Sequence, residues 1–331
     1  MEVSMPEIIG YGMAGMDLCL VLDHIPAPNE AMFVKEMSWQ YGGTVSTGLC
    51  ATRILCGASC GMVTYTGGTV GRLVIADLER HGIDTSQIRE YPDTEKQSRL
   101  TVVLTSLADG GSRSPCGLPF AMSPPHCPED IDYGYMSSAK YIFVHRGDAG
   151  QTKAAAYAHE HGIDVLMDAD IWTPQIGDIM PFVDYFIASE KCFDRLTENV
   201  EGTVEEKLRF IRSKLPPHAL AMTTMGEKGA FGLDDDGYFE TPAYKVDVVD
   251  TAGCGDVFHG AFIACKYRGM DNREAAKYCS AVSAIKATRL GCRAGIPTDE
   301  VVREFMETGN IDYTKGLDER CEYYSKMPDI M

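Results

Sequence analysis

The chain has 331 residues, 45% of them hydrophobic, enough for a substantial core in one large α/β domain or two ordinary ones. Its formal net charge of −18 argues against a nucleic-acid partner, because affinity for a phosphate backbone comes mainly from clustered Lys and Arg. No apolar run is long enough to span a bilayer, and the start lacks a leader pattern. The twelve cysteines, with no C-x-x-C pair, are therefore expected as reduced, mostly buried thiols of a cytoplasmic protein.

In chain order, short apolar runs alternate with helical periodicity. Residues 7–12, 59–65, 141–145, 164–168, 185–188 and 220–224 read as buried strands. Residues 44–55, 70–81, 151–161, 203–214, 254–267 and 273–288 read as helices. This alternation predicts βαβ units and a doubly wound, mostly parallel sheet covered by helices on both faces. Ligands of such sheets sit beyond the carboxyl ends of the strands, where Asp17, Asp168 and Asp256 fall. Residues 18–38 and 98–119 break the rhythm with strand-rich and turn-rich composition. Residues 115–128 are Pro-rich and read as a loop, and the polar, Tyr-containing tail at 309–331 carries no interpretable motif.

The densest chemistry is the run Asp250-Thr251-Ala252-Gly253-Cys254-Gly255-Asp256, which enters an apolar helix. Glycines permit a tight backbone approach, the unpaired amides of a helix start hold anions, and Asp256 stands one turn inside, beside a hydroxyl to be phosphorylated. A helix N-terminus is expected to depress the Asp256 pKa. A weak base suffices when phosphoryl transfer depends on positioning and charge stabilisation. A Gly-x-Gly pair alone marks only a turn, and an Asp here could merely cap its helix, although Thr251 and Asp250 already offer capping oxygens.

The pattern D-T-x-G-x-G-D resembles the C-terminal motif of the ribokinase-like (PfkB) carbohydrate kinases. Three further segments are similar to the family: Gly12-Met13-Ala14-Gly15-Met16-Asp17, Gly42-Gly43 before a helix, and Thr223-Thr224-Met225-Gly226-Glu227-Lys228-Gly229-Ala230. The resemblance implies a ribokinase-like domain over 1–331, with a small β lid from about 18–38 and 98–119 that also forms a homodimer contact. It implies ATP and Mg²⁺ as cofactors, Asp256 as base, and the amides of Gly253, Cys254 and Gly255 as anion hole. Asp17, Gly42 and Gly43 would hold the sugar, with Thr47 where ribokinase has an Asn. Thr224, Gly226 and Gly229, and later Ala284 and Gly291, would contact ATP. Asp250, with carbonyls near Ala252 and Gly291, resembles the family's potassium site.

Within the family, the Lys245 to Thr251 run, the Val257-Phe258-His259-Gly260 helix and Arg293-Ala294-Gly295-Ile296-Pro297 resemble bacterial sulfofructose kinase. That match implies Arg146 as a contact for an anionic acceptor group, since the planar guanidinium suits sulfonate, phosphate or carboxylate. Gly117 stands where that enzyme has a sulfonate-contacting Asn. Ser189-Glu190-Lys191-Cys192 departs from the family's N-x-x-E, leaving Glu190 to organise magnesium through water. The expected function is an ATP-dependent kinase for a primary hydroxyl of a sugar, with an anionic ketose such as 6-deoxy-6-sulfofructose as first acceptor. A neutral ketohexose or a nucleoside is the alternative acceptor, and a non-catalytic sugar or nucleotide sensor the competing class. A dehydrogenase is disfavoured, because Gly10, Gly12 and Gly15 have the wrong spacing for G-x-G-x-x-G.

Overall fold

The computed structural model describes residues 5–91, 97–109, 112–118, 121–122 and 125–326. Ten strands form the main sheet. Along its path they run Gly237–Thr241, Ala230–Asp234, Leu220–Thr224, Tyr185–Ser189, Asp164–Ala169, Tyr141–Val144, Ile8–Tyr11, Cys60–Thr66 and Ile83–Asp84, with Ile88–Glu90 also paired to Cys60–Thr66. All pairings are parallel except two, Leu220–Thr224 with Ala230–Asp234 and Ala230–Asp234 with Gly237–Thr241, the latter a hairpin through Asp235-Asp236 that the sequence reading passed over. The inner strands are continuous apolar runs such as Ile142-Phe143-Val144, buried on both faces as a covered parallel sheet requires.

Helices Thr44–Cys56, Gly68–Arg80, Cys254–Tyr267, Asn272–Ala287 and Asp299–Thr308 cover one face. Helices Ala149–Glu160, Glu190–Leu196 and Val204–Arg212 cover the other. Their starts are fixed locally: Asp148 and Asp271 accept first-turn amides, and Thr203 forms a capping box with Glu206. Strand order reverses at Ile8–Tyr11, which lies between Cys60–Thr66 and Tyr141–Val144, and this opens a crevice at the carboxyl ends.

A second sheet springs from that end three residues after Tyr11. Its order is Glu36–Gly42, Gly15–Leu22, Gln97–Ser106 and Ser112–Gly117, with Ala121–Met122 paired to Gln97–Ser106. The loop expected over 115–128 is corrected here, because residues 115–117 belong to a strand. Pro115 pairs opposite Val103 on an edge strand, where no ladder amide is needed from it. Of the expected lid, residues 110–111 and 119 lie outside the described residues.

Two contacts bind the second sheet and the helices around the crevice. Helices Thr44–Cys56 and Cys254–Tyr267 cross at two glycines: a Cβ on Gly260 would lie 2.1 Å from the Gly48 carbonyl oxygen. The Thr52 hydroxyl donates to the carbonyls of both Gly48 (3.0 Å) and Gly260 (2.8 Å), which pins the crossing. The second contact centres on Arg293, fully buried and ion-paired with Asp77 of helix Gly68–Arg80. Arg293 also donates to Ser46 Oγ at 2.7 Å and to the Gly42 carbonyl at 3.4 Å.

The tail at 309–331 enters this network. Its helix Leu317–Ser325 buries Tyr324, whose hydroxyl donates to Asp77 at 3.0 Å and whose carbonyl accepts from Ser38 Oγ at 3.0 Å. Residues 327–331 lie outside the described residues.

Removing one partner of a buried pair strands the other charge. Arg293→Met is therefore expected to lower unfolding free energy by about 3–5 kcal/mol, and the double variant Arg293→Met/Asp77→Leu to recover part of that loss. Denaturant titration measures both, and a single-variant loss below about 1 kcal/mol would show that the pair is solvated rather than buried.

Candidate active site

The helix Cys254–Tyr267 begins at Gly253, whose φ of +76° is a left-handed conformation that a side chain would strain. A Cβ there would also lie 2.9 Å from Cys292 Cα. The Cys254 amide bonds the Thr251 carbonyl at 3.2 Å, so the amides left without an intrahelical acceptor belong to Gly255 and Asp256. Residues 251–256 form the wall between two cavities, and Thr251 lines both.

The first cavity, about 660 Å³, brings together Asp17, Gly42, Gly43, Gly253, Gly255 and Asp256, as expected. Asp17 projects from the second sheet, its carboxylate packed on the Gly42 backbone so closely that a Cβ on Gly42 would lie 2.6 Å from Oδ2. Burial raises the Asp17 pKa, opposed by the guanidinium groups of Arg99, Arg293 and Arg113 and by the Thr101 hydroxyl. Arg99, Thr101, Arg113, Asp170 and Cys292 also line this cavity and were missed. Arg99 and Thr101 reach it because a strand distant in sequence pairs with that of Asp17, as Gly15↔Arg99 and Asp17↔Thr101, and Arg113 because its own strand pairs in turn with that one, as Thr105↔Arg113.

Thr47 and Arg146 do not line the cavity. Thr47 is fully buried, its hydroxyl without a partner. Arg146 follows strand Tyr141–Val144, half-buried, with no carboxylate partner among the described residues. Its pKa is lowered by burial and by the charge of Arg99, with the Asp148 carboxylate opposing.

The second cavity, about 1060 Å³, is more apolar and is lined by Thr224, Gly226, Gly229, Ala284, Cys254 and Phe258 among others. Four of the five expected nucleotide residues meet here. Gly291 does not: its amide instead donates to Asp250 Oδ2 at 2.8 Å. Glu190 is ion-paired at 2.6 Å with Lys228, which lines the cavity. No cluster of three His, Cys, Asp or Glu able to hold a metal occurs among the described residues. Glu190 itself does not line this cavity, whose one carboxylate among the described lining residues is Glu227.

The potassium expectation is corrected. Asp250 Oδ1 accepts from the Ala252 amide at 2.9 Å and Oδ2 from that of Gly291, with Arg113 Nη1 at 3.4 Å from Oδ1. The Asp250 carbonyl accepts from Nζ of Lys286, a fully buried lysine, at 2.8 Å. A fixed ammonium already supplies positive charge behind the loop, and these residues do not fit a potassium site.

The charge around Asp256 also reverses an expectation. Rather than being depressed by the helix N-terminus, its pKa is pushed up to about 8 by burial and by the carboxylates of Asp168, Asp170 and Asp17, with His259 opposing. Asp256 keeps part of its surface in the cleft, where water tempers the rise without reversing it. His259, one turn along the helix, is 2% exposed. Its Nδ1 lies 2.7 Å from the Gly255 carbonyl and 3.0 Å from Asp168 Oδ2, and Nε2 lies 3.1 Å from the Ile187 carbonyl. Burial alone would lower its pKa, but Asp168 and the two carbonyls raise it to about 9.

Two cavities meet at a helix start with free amides, and one of them holds the carboxylates of Asp17, Asp170 and Asp256. The family model described as pfkB family carbohydrate kinase matches residues 5–299. An ATP-dependent ribose-1-phosphate kinase from Halopiger xanaduensis is 25% identical over 91% of this chain and 98% of its own length. The fold agrees with ribokinase from Thermotoga maritima, with a TM-score of 0.78, 23% identity, and coverage of 92% of this chain and 100% of that one. It agrees as well with an E. coli protein provisionally assigned as ribokinase II and solved with ATP and Mg²⁺, with a TM-score of 0.76, 19% identity, and coverage of 91% and 99%. The chain belongs to the pfkB family of carbohydrate kinases and is an ATP-dependent kinase of sugars or nucleosides.

Proposed function

We propose that the protein phosphorylates a primary hydroxyl of a sugar derivative that also carries an anionic group, a ketose such as 6-deoxy-6-sulfofructose being the first candidate. The observation that carries this reading is the pair Arg99 and Arg146. Arg99 lines the acceptor cavity beside Asp17, and Arg146, outside the lining and near Asp148, feels its charge; neither guanidinium is in an ion pair among the described residues. Two guanidinium groups so placed offer an anion charge-assisted hydrogen bonds in planar geometry. The ribose-1-phosphate kinase among the relatives bears a name that specifies an anionic acceptor. One observation favours a neutral ketohexose or nucleoside instead: Gly117 offers no side chain opposite Thr101, and only open space surrounds its Cβ position.

In this reading ATP, with its magnesium, supplies the phosphoryl group. Asp17 accepts hydrogen bonds from acceptor hydroxyls, while the Gly42-Gly43 backbone admits the sugar ring. Asp256 takes the proton of the attacking hydroxyl, and the Gly255 and Asp256 amides hold the charge that develops on the transferred group. Glu190, released from Lys228, would orient the water shell of the metal. The second sheet acts as a lid that excludes water from the acceptor.

We further read the second sheet as a homodimer contact. Ile25, Phe33, Val34, Met37 and Leu107 leave an apolar surface there, with Phe33 95% exposed.

Asp256→Asn is expected to keep fold and nucleotide binding while lowering turnover about 100- to 10,000-fold. ADP formation across neutral, sulfonated and phosphorylated sugars and nucleosides measures this, and a loss under about threefold removes Asp256 as base. A raised pKa leaves the base protonated at low pH. Activity should therefore appear as pH rises through a limb well above the ordinary carboxylate range; a limb below about pH 5 contradicts the charge environment.

Arg146→Met or Arg99→Met removes one charge-assisted pair, so kcat/KM for an anionic acceptor should fall about 10- to 150-fold. Neutral acceptors should be spared, and equal losses on both classes overturn the anionic reading. Phe33→Glu should shift a dimer toward monomer in sedimentation velocity, whereas a monomeric wild-type protein ends the dimer reading.

A further inference from the structure

His259 and Asp168 have no part in the steps above, yet both are buried beneath the reaction centre. Asp168 ends strand Asp164–Ala169 at 1% exposure, and neither of its carboxylate oxygens has a hydrogen bond of good geometry. An ionised carboxylate with no donor is costly in such a place unless a cation lies against it. The only group of opposite charge in contact with it among the described residues is His259.

The protonation state of His259 follows from its neighbours. A neutral imidazole has one N–H and one bare nitrogen, and the bare nitrogen needs a donor. Here Nδ1 faces the Gly255 carbonyl and Asp168 Oδ2, while Nε2 faces the Ile187 carbonyl. Every one of these is an acceptor, so both nitrogens must carry protons, and the ring is an imidazolium. Phe143 and Phe258 flank the ring, with centroids 6.5 and 6.2 Å from its own, and His259 is 2% exposed. The other titratable groups around the pair are Asp170 from the loop after the strand, Asp256 from the same helix and the buried thiol of Cys192; beyond them Lys191 acts on Asp170 and Asp17 on Asp256.

We propose that His259 is a permanently charged positioning residue that cancels the Asp168 carboxylate beneath the reaction centre, so that Asp256 can bear its own negative charge when the acceptor hydroxyl arrives. The helix supplies the geometry: His259 lies three residues after Asp256, on the same face, and its ring is anchored to the carbonyl of Gly255. Asp168 reaches the same spot from the sheet. The carboxylate fixes the cation, and the cation shields the base. This inference rests on Asp256 being the catalytic base, so one arm of its test does not depend on turnover.

That arm is nitrogen NMR of the wild-type protein labelled on histidine. Among eight histidines, one should show both ring nitrogens protonated and unchanged from about pH 6 to pH 8, and this signal should vanish in His259→Asn. If every histidine titrates or stays neutral in that interval, the imidazolium assignment is overturned, whatever the enzyme's activity.

The second arm is the pH profile of ADP formation with whichever acceptor of the panel reacts. His259→Asn exposes Asp256 to an uncancelled Asp168 and should move the acid limb of kcat/KM upward by about one unit or more. The double variant His259→Asn/Asp168→Asn removes both charges and should bring the limb back toward wild type. A purely structural histidine would lower the plateau and the melting temperature in both variants while leaving the limb in place, and that result overturns the proposal. If Asp256→Asn is fully active, the base assignment fails, and the NMR arm still decides the charge on His259.

Discussion

The crossing of helices Thr44–Cys56 and Cys254–Tyr267 at Gly48 and Gly260 is the constraint on which the site depends. Each helix has at its N-terminus one half of the machinery: Gly42-Gly43 for the acceptor, and residues 251–256 for the transferred group. With glycine at both contact positions the backbones touch, so the two positive helix ends converge on one cavity. Any side chain at residue 260 would overlap the Gly48 carbonyl and drive the halves apart. Distances of about 3 Å between nucleophile, base and anion hole leave no room for that separation.

Convergence of this kind brings charges together, and the chain manages them with fixed cations of its own. The acceptor cavity gathers three carboxylates, Asp17, Asp170 and Asp256, against Arg99 and Arg113. Behind the anion loop Lys286 bonds the Asp250 carbonyl, and Arg293 holds the Gly42 carbonyl from beneath. The net charge of −18 therefore says little about this interior. The crevice wall carries the exposed Arg99 and Arg113, with Lys286 and Arg293 buried behind it, and this local positive charge favours an anionic transition state.

Much of the fold was legible because strands buried on both faces and amphipathic helices differ so plainly in period. Helix Cys254–Tyr267 and strand Leu220–Thr224 start and stop where the sequence reading put them. The base and its loop were legible too, since glycines and an acid at a helix start have a local mechanism. What escaped depends on distant pairing. Arg99 and Thr101 become site residues only through register with Gly15 and Asp17. The sign of the Asp256 shift was misjudged because Asp168 and Asp170 are some 90 positions away, a separation at which local helix electrostatics gives no warning. Thr47 has the same residue type and spacing it would have on the cavity-facing side, but the second turn of its helix looks into the core.

The Tyr324 carbonyl and hydroxyl satisfy Ser38 and Asp77, the first across a separation of 286 residues. Chains emerge from the ribosome N-terminus first, and contacts of long sequence separation form late. The strand that presents Gly42 to the acceptor therefore leaves the ribosome long before the helix Leu317–Ser325 that braces it. During synthesis the nucleotide half, local in sequence from Leu220 onward, is finished before the far older acceptor half.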